Sequence, residues 1–202
     1  MAAGALIPIA KLVRCEFGPL VFAGSSRMGN SGNSLRVQSG PSKWRLTVQT
    51  ERLTMADART WSVWMNDRLH RGETFTAFNL FRVNPAGALG TADGSIGLTV
   101  DIPNSELDLT GCGAYVASVG DFISYRTAAN GYYCGEIREA ATASGGAVTV
   151  KVSPQPLPKH ASAPAVRRVQ ALAEFDAPTD LPPFEDYVGR SLAFEAMQVI
   201  RD

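Results

Sequence analysis

The chain has 202 residues, 45% of them hydrophobic and 19% charged, which suffices to bury a core of one domain or two small ones and excludes wholesale disorder. Lys plus Arg match Asp plus Glu at 19 each, a formal charge of zero that does not describe a dedicated nucleic-acid or anionic-membrane binder. Three cysteines, Cys15, Cys112 and Cys134, are too few and too scattered for a disulfide framework and are expected to be reduced.

The N-terminal "MAAGALIPIAKLV" is apolar, but no basic residue precedes the run and Pro8 interrupts it, so a signal peptide is not expected. No later stretch approaches the ~20 apolar residues of a membrane helix, and a soluble chain without membrane insertion is expected. From Gly24 to Ser34, three glycines and four serines in eleven residues predict a flexible surface loop or arm. Within it, "GSSRMGNS" approaches the phosphate-binding pattern G-x-x-x-x-G-K-[ST]. Asn30 stands where the lysine must be and no helix is predicted to follow, so nucleotide binding is not expected.

From Trp44 to Glu51 the pattern has period two: Trp44, Leu46 and Val48 alternate with Arg45, Thr47 and Gln49, predicting a strand with one buried face. The period then changes. Thr54 offers an N-cap hydroxyl with Asp57 three residues on, and Leu53 is placed for a hydrophobic staple. Ala58, Trp61, Met65 and Leu69 follow at spacings of three and four, with Trp64 beside them, predicting one amphipathic helix that closes at Arg71-Gly72. Phe75, Ala77, Phe78 and Phe81 begin the next strand. Trp44, Leu46, Val48, Ala58, Trp61, Met65 and Phe75 are the expected core, and a tryptophan-rich helical stripe of this kind is better explained by packing on a sheet than by a ligand site.

After Asn84-Pro85 the composition shifts to Gly, Ala, Ser and Thr. "DGSIGLTVDI", "AYVAS", "GDFISYRT", "GYYCGEIREA" and "GGAVTVKVSP" are short strand-like runs between turn residues, predicting a small antiparallel barrel or sandwich. Pro-rich connectors span Ser153 to Pro164 and Ala177 to Asp186, and "GRSLAFEAMQVI" is expected to return a strand to the first sheet. The predicted organisation is a mainly β protein: a β-sandwich with one amphipathic helix from residues 1–85 and 171–202, and a small antiparallel β-barrel, with an OB-like barrel as one option, inserted at 86–170.

Candidate chemistry is sparse. His70 and His160 lie in no metal-ligand spacing, so neither a metal nor a cofactor is expected. No G-x-S-x-G elbow occurs, and Cys112 in "TGCGAY" reads as a turn cysteine rather than an activated thiolate. Glu136 with Glu139, and Glu185 with Asp186, read as solvated charges rather than a catalytic pair, and an enzyme is not expected. Phe122, Tyr125, Tyr132 and Tyr133 with Arg126 and Arg138 could form a stacking surface for sugars or single strands if they shared a face. Tyr125, Arg126, Tyr132 and Tyr133 are the candidates for surface binding.

The order of elements resembles the distal tail or tail-tip proteins of long-tailed, siphovirus-type bacteriophages and related gene-transfer particles. The resemblance is carried by "SGPSKWRLTV", "ERLTMADARTWSVWMNDRLHRGETFTAFNL", "GDFISYRTAANGYYCGEIREA" and "VTVKVSPQPLP", from about Gly24 to Pro158. Trp44, Met55, Ala58, Trp61, Arg71, Gly72 and Phe75 match the family's Trp-opened strand, "P-M-[ST]-x-x-x-A-x-x-W" helix, Arg-Gly stop and G-x-F strand. The chain departs from that pattern at Thr54-Met55 and Asn84-Pro85. The resemblance implies a virion structural protein of the tail tip, synthesised in the host cytoplasm. It would form a homohexameric ring that joins the tail tube protein to hub and receptor-binding proteins and leaves a channel through which DNA passes. A neutral net charge is compatible with that passage. Gly24, Arg27, Gly29 and Gly32 would then lie on an inter-subunit arm. The alternatives are a carbohydrate- or host-surface-binding module of the tail tip, and a neighbouring hub subunit.

Overall fold

A computed structural model describes residues 5–20, 23–27, 34–38, 42–71, 73–157, 160–161, 164–177 and 188–200. The chain opens with β1 (Ala5–Leu6) and β2 (Leu12–Leu20), followed by β3 (Ala23–Arg27), β4 (Ser34–Gln38) and β5 (Lys43–Arg52). Along β5 the alternation anticipated from sequence is realised: Trp44, Leu46, Val48 and Thr50 are buried, while Arg45, Gln49 and Glu51 are exposed. β2 pairs antiparallel with β5, setting Cys15 opposite Val48 and Phe17 opposite Leu46, so the buried sets of both strands lie on one face.

Helix α1 (Met55–Arg71) follows at once. The Thr54 hydroxyl oxygen accepts from the Asp57 amide at 3.3 Å and donates to the Asp57 carboxylate at 2.7 Å, satisfying one of the helix's first orphan N–H groups. Ala58, Trp61 and Met65 are buried, whereas Met55 and Val63 on the opposite side stand in solvent. The Trp61 ring meets Phe194 edge-on at 6.4 Å and Trp64 meets Phe75 at 5.2 Å, which fixes the helix across the sandwich. Gly72 lies outside the described residues.

β6 (Phe75–Phe78) is buried at every position, as befits a strand covered on both faces. It stops at Phe78. Asn79 caps a 3-10 turn at Leu80–Arg82, accepting from the Phe81 amide, and this turns Phe81 out to 65% exposure instead of continuing the strand as expected.

The inserted segment supplies β7 (Gly97–Asp101), β8 (Glu106–Thr110), β9 (Val116–Ala117), β10 (Phe122–Arg126), β11 (Tyr132–Ile137), β12 (Ala141–Thr142) and β13 (Ala147–Ser153). The chain then returns through β14 (Leu172–Phe175) and β15 (Ser191–Met197). Two three-stranded sheets, ordered β15-β5-β2 and β1-β6-β14, enclose one core with α1. Ile7, Phe17, Leu46, Trp61, Phe75, Phe175 and Phe194 are among its members, and the protein is mainly β with a single α-helix among the described residues.

A second core is built on the five-stranded antiparallel sheet β10-β11-β13-β8-β7, from Leu107, Leu109, Ile123, Tyr125, Ile137, Val150 and Val166 among others. The closed barrel expected here does not form. The outer edge of β10 is taken by the returning chain, through bridges Ser124 to Arg167 and Thr127 to His160, so β10 does not meet β7. β9 and β12 make a separate two-stranded sheet.

The two cores are welded along β10 and β11. Phe122 and Cys134 project into the first core, with the Phe122 ring 5.4 Å from both Phe17 and Trp44. The Trp44 indole donates to the Cys134 carbonyl at 2.8 Å, and the Ser124 hydroxyl oxygen accepts from the Leu172 amide at 2.9 Å. Strand β10 is therefore buried on both faces, one per core. No helix among the described residues is long and apolar enough to cross a membrane.

Candidate functional surfaces

The described part of the Gly/Ser-rich segment is strand where a loop is expected. Gly24 and Arg27 lie on β3, which pairs antiparallel with β4 over five residues, Ala23 opposite Gln38 through Arg27 opposite Ser34. Gly29 and Gly32 lie outside the described residues. Alternating β-competent residues in "SLRVQ" on β4 are the signal for pairing, which glycine and serine content obscures. These described residues form a two-stranded ribbon, roughly 17 Å long for five residues of strand. Among the described residues β3 and β4 pair with each other and with no third strand.

Of the aromatics considered for a stacking surface, Tyr125 and Tyr133 are packed inside the insert instead. Tyr125 is fully buried and Tyr133 is 3% exposed, and their rings stack on one another at 4.8 Å within the second core. The Tyr125 hydroxyl donates to the Leu157 carbonyl at 2.9 Å and accepts from the Leu157 amide at 3.0 Å. The Tyr133 hydroxyl donates to the Pro154 carbonyl at 2.6 Å. Burial pushes both phenols upward from their ordinary pKa, so they stay neutral donors. Arg126 and Tyr132 are half-buried at the end of this strand pair. Tyr125 and Tyr133 face one core because they are cross-strand partners, a relation invisible until β10 and β11 are in register.

A cleft of about 340 Å³ opens at the junction of the two cores, lined by Glu16, Phe17, Pro19, Trp44, Asn79, Phe81, Arg82, Phe122 and Glu136. Its carboxylates are neutralised: Glu136 pairs with Arg82 at 3.0 Å and Arg138 at 3.1 Å, and Glu16 pairs with Arg14 at 2.7 Å. The Arg82 guanidinium also lies 5.5 Å from the Phe122 ring centroid. Among the described residues that line the cleft, no nucleophile stands beside a base.

The remaining reactive residues are placed structurally. Cys15 donates to the Phe78 carbonyl and Cys112 to the Gly146 carbonyl, each at 3.1 Å. Burial pushes the Cys15 thiol up to about 12 and the Cys134 thiol higher still, away from thiolate chemistry. Glu139 is spent on Lys151 at 3.0 Å. The side chain of His70, and Glu185 and Asp186, lie outside the described residues. His160 sits with its Nδ1 2.8 Å from the Ala161 carbonyl. Among the described residues no three His, Cys, Asp or Glu side chains gather as metal ligands would.

One buried charge escaped the sequence reading. The Arg168 side chain has no solvent exposure; its Nε donates to Asp93 at 2.9 Å and one terminal nitrogen to the Leu89 carbonyl at 2.7 Å. The other terminal nitrogen donates to the Thr91 carbonyl, and the guanidinium lies 4.5 Å from the Tyr115 ring centroid. Asp93 also accepts from the Arg168 and Val169 amides at 2.8 and 2.9 Å. The clamp holds the loop before β7 against the return to β14. Gly90 in that loop takes a φ of +67°, and a Cβ there would stand 2.2 Å from the Cys112 carbonyl oxygen, so a side chain is excluded. Compared with protein-family models and with curated proteins, the chain matches none.

Proposed function

We propose that the protein is a virion structural component of a long-tailed bacteriophage or gene-transfer particle. It would assemble into a ring at the distal end of the tail, between tube and hub. The observation that carries the proposal is the ribbon β3–β4. Among the described residues the ribbon has no third strand, and a two-stranded ribbon is marginally stable by itself. A neighbouring chain supplies what is missing. The sandwich with one brace helix is compatible with the same reading, and the Trp61 stripe belongs to that brace. Burial of Tyr125 and Tyr133 takes two of the four candidate residues away from the sugar-binding alternative.

Native mass spectrometry and negative-stain images of one purified sample test the proposal. Closed rings with a central hole support it. A monomer at all concentrations that is also absent from the tail tip of assembled particles, located by a fused tag, refutes it.

A further inference from the structure

The cleft at the junction of the two cores, of about 340 Å³, is within the size range of small-molecule sites, roughly 300 to 1,000 Å³. Its polar groups are held in place by bonds that leave part of each one unused. Arg82 donates from Nη1 to the Gly120 carbonyl and to Glu136, the latter at 3.0 Å, while its Nε and Nη2 donate to nothing among the described residues. A Cβ on Gly120, whose φ is +88°, would stand 2.7 Å from that same Nη1, so glycine there makes room for the guanidinium. Glu16 takes Arg14 on Oε2 alone, at 2.7 Å, and among the described residues its Oε1 is left as an acceptor. Asn79, only 7% exposed, accepts from the Phe81 amide through Oδ1, and its amide nitrogen donates to nothing among the described residues. The turn that Asn79 caps carries Phe81 out as an exposed ring on the wall of the same cleft.

These groups exclude a charged guest. An anion on Arg82 would stand beside Glu136 and share the cleft with Glu16, and a cation on Glu16 would share it with Arg82, so either sign meets its like in a partly dehydrated space. A purely apolar guest would cover the free Arg82 and Asn79 donors without pairing them. A neutral molecule satisfies them all if its polar groups both donate and accept and its body offers a C–H face to the Phe81 ring. Hydroxyl groups on a saturated ring have those properties. A peptide backbone would bring its donors and acceptors in along an extended line, where these converge on one cleft.

We propose, independently of the assembly reading, that this cleft binds a neutral, hydroxyl-rich ligand of the sugar class. The ring of the ligand packs its C–H face on Phe81, Arg82 and Asn79 donate to its hydroxyl oxygens, and Glu16 accepts from one hydroxyl. None of these four residues belongs to the aromatic set of the insert, in which Tyr125 and Tyr133 face the second core.

The test applies the full chain to an array of neutral and acidic oligosaccharides. A retained neutral sugar is then titrated calorimetrically against the wild type, Phe81→Ala, Glu16→Gln and Val63→Ala, with urea midpoints verifying that each variant is folded. Phe81→Ala should weaken binding at least ~fivefold, as the loss of one ring contact does. Glu16→Gln keeps the shape and replaces a charged acceptor by a neutral one, and should weaken it ~threefold or more. Val63→Ala trims a side chain of α1 that is as exposed as Phe81, 64% against 65%, and should leave binding unchanged. Affinity should hold from about 0.05 to about 0.5 M salt, because the ligand carries no charge. An array that retains no oligosaccharide overturns the proposal. So does retention confined to acidic sugars, or binding that survives both Phe81→Ala and Glu16→Gln, or binding weakened equally by Val63→Ala. None of these results bears on ring formation, which the native mass spectra and particle images decide.

Discussion

Replacing Arg168 by methionine keeps most of the side-chain volume and deletes the cation. Four consequences follow from the geometry. Asp93, whose side chain is 19% exposed, loses its counter-ion but keeps the Arg168 and Val169 amides; the Leu89 and Thr91 carbonyls lose their donor; and Tyr115 loses the cation over its ring. Breaking one side of a buried pair costs about 3 to 5 kcal/mol, mainly because the other side is left uncompensated. For a chain of this size about 1 kcal/mol moves the thermal midpoint by roughly 2 to 4 °C, so the variant should melt roughly 6 to 20 °C lower. Asp93→Asn should cost a similar amount by stranding the guanidinium. The double variant should cost less than the sum, with a coupling of about 2 kcal/mol or more for residues in direct contact. Urea unfolding followed by far-ultraviolet circular dichroism, for both single variants and the double, measures all three. Two cores invite separate transitions, and the loss belongs to the transition that reports the second core. If Arg168→Met unfolds within about 0.5 kcal/mol of the wild type, the size of an ordinary surface change, the clamp argument fails.

Trp61→Ala should lower the unfolding free energy by about 3 to 5 kcal/mol, because the ring is fully buried against Phe194; an unchanged denaturation midpoint would remove the brace role. Tyr133→Phe deletes the donor to the Pro154 carbonyl and should cost about 1 to 3 kcal/mol of unfolding free energy, since that buried acceptor is left unpaired. Alkali should destabilise the protein. The unfolded chain releases the Cys15 proton near its ordinary value of 9.0 while the folded chain holds it to about 12, so folding stability is intact below pH 9 and falls as pH rises through that window. A urea midpoint that stays flat from pH 8 to about pH 11 would contradict the burial of this thiol. In the same range a thiol reagent should label Cys15 and Cys134 only as fast as the chain unfolds, which mass spectrometry of quenched samples reads directly.

Short-range periodicity made β5 and α1 legible. Trp44, Leu46 and Val48 two apart, and Ala58, Trp61 and Met65 three or four apart, each describe one face of one element, and burial follows because a single contiguous face meets a single partner. The Thr54–Asp57 cap was legible for the same reason, since both groups lie within one turn. The ribbon was half legible. Glycine and serine marked a segment unlike its neighbours, but composition is silent on pairing, and only the cross-strand register of β3 with β4 made it a strand pair.

The tyrosines failed for the opposite reason. Alternation puts Ile123 and Tyr125 on one face of β10 and Phe122 and Ser124 on the other, but it does not say that both faces of this strand are covered. An aromatic beside an arginine reads as a binding surface only while one side is assumed to be wet. Arg168 and Asp93 are 75 positions apart, and neither lies in a motif. Whether the five-stranded sheet closes likewise depends on what occupies the edge of β10. What the sequence by itself determined is each element whose information is local: the strand, the helix, its cap and the mainly β character. What only the tertiary structure decided is every relation between distant segments, namely which faces are doubly buried and which charge is clamped. Those depend on the register and order in which strands are brought together, and residues far apart in the chain carry no periodic trace of it.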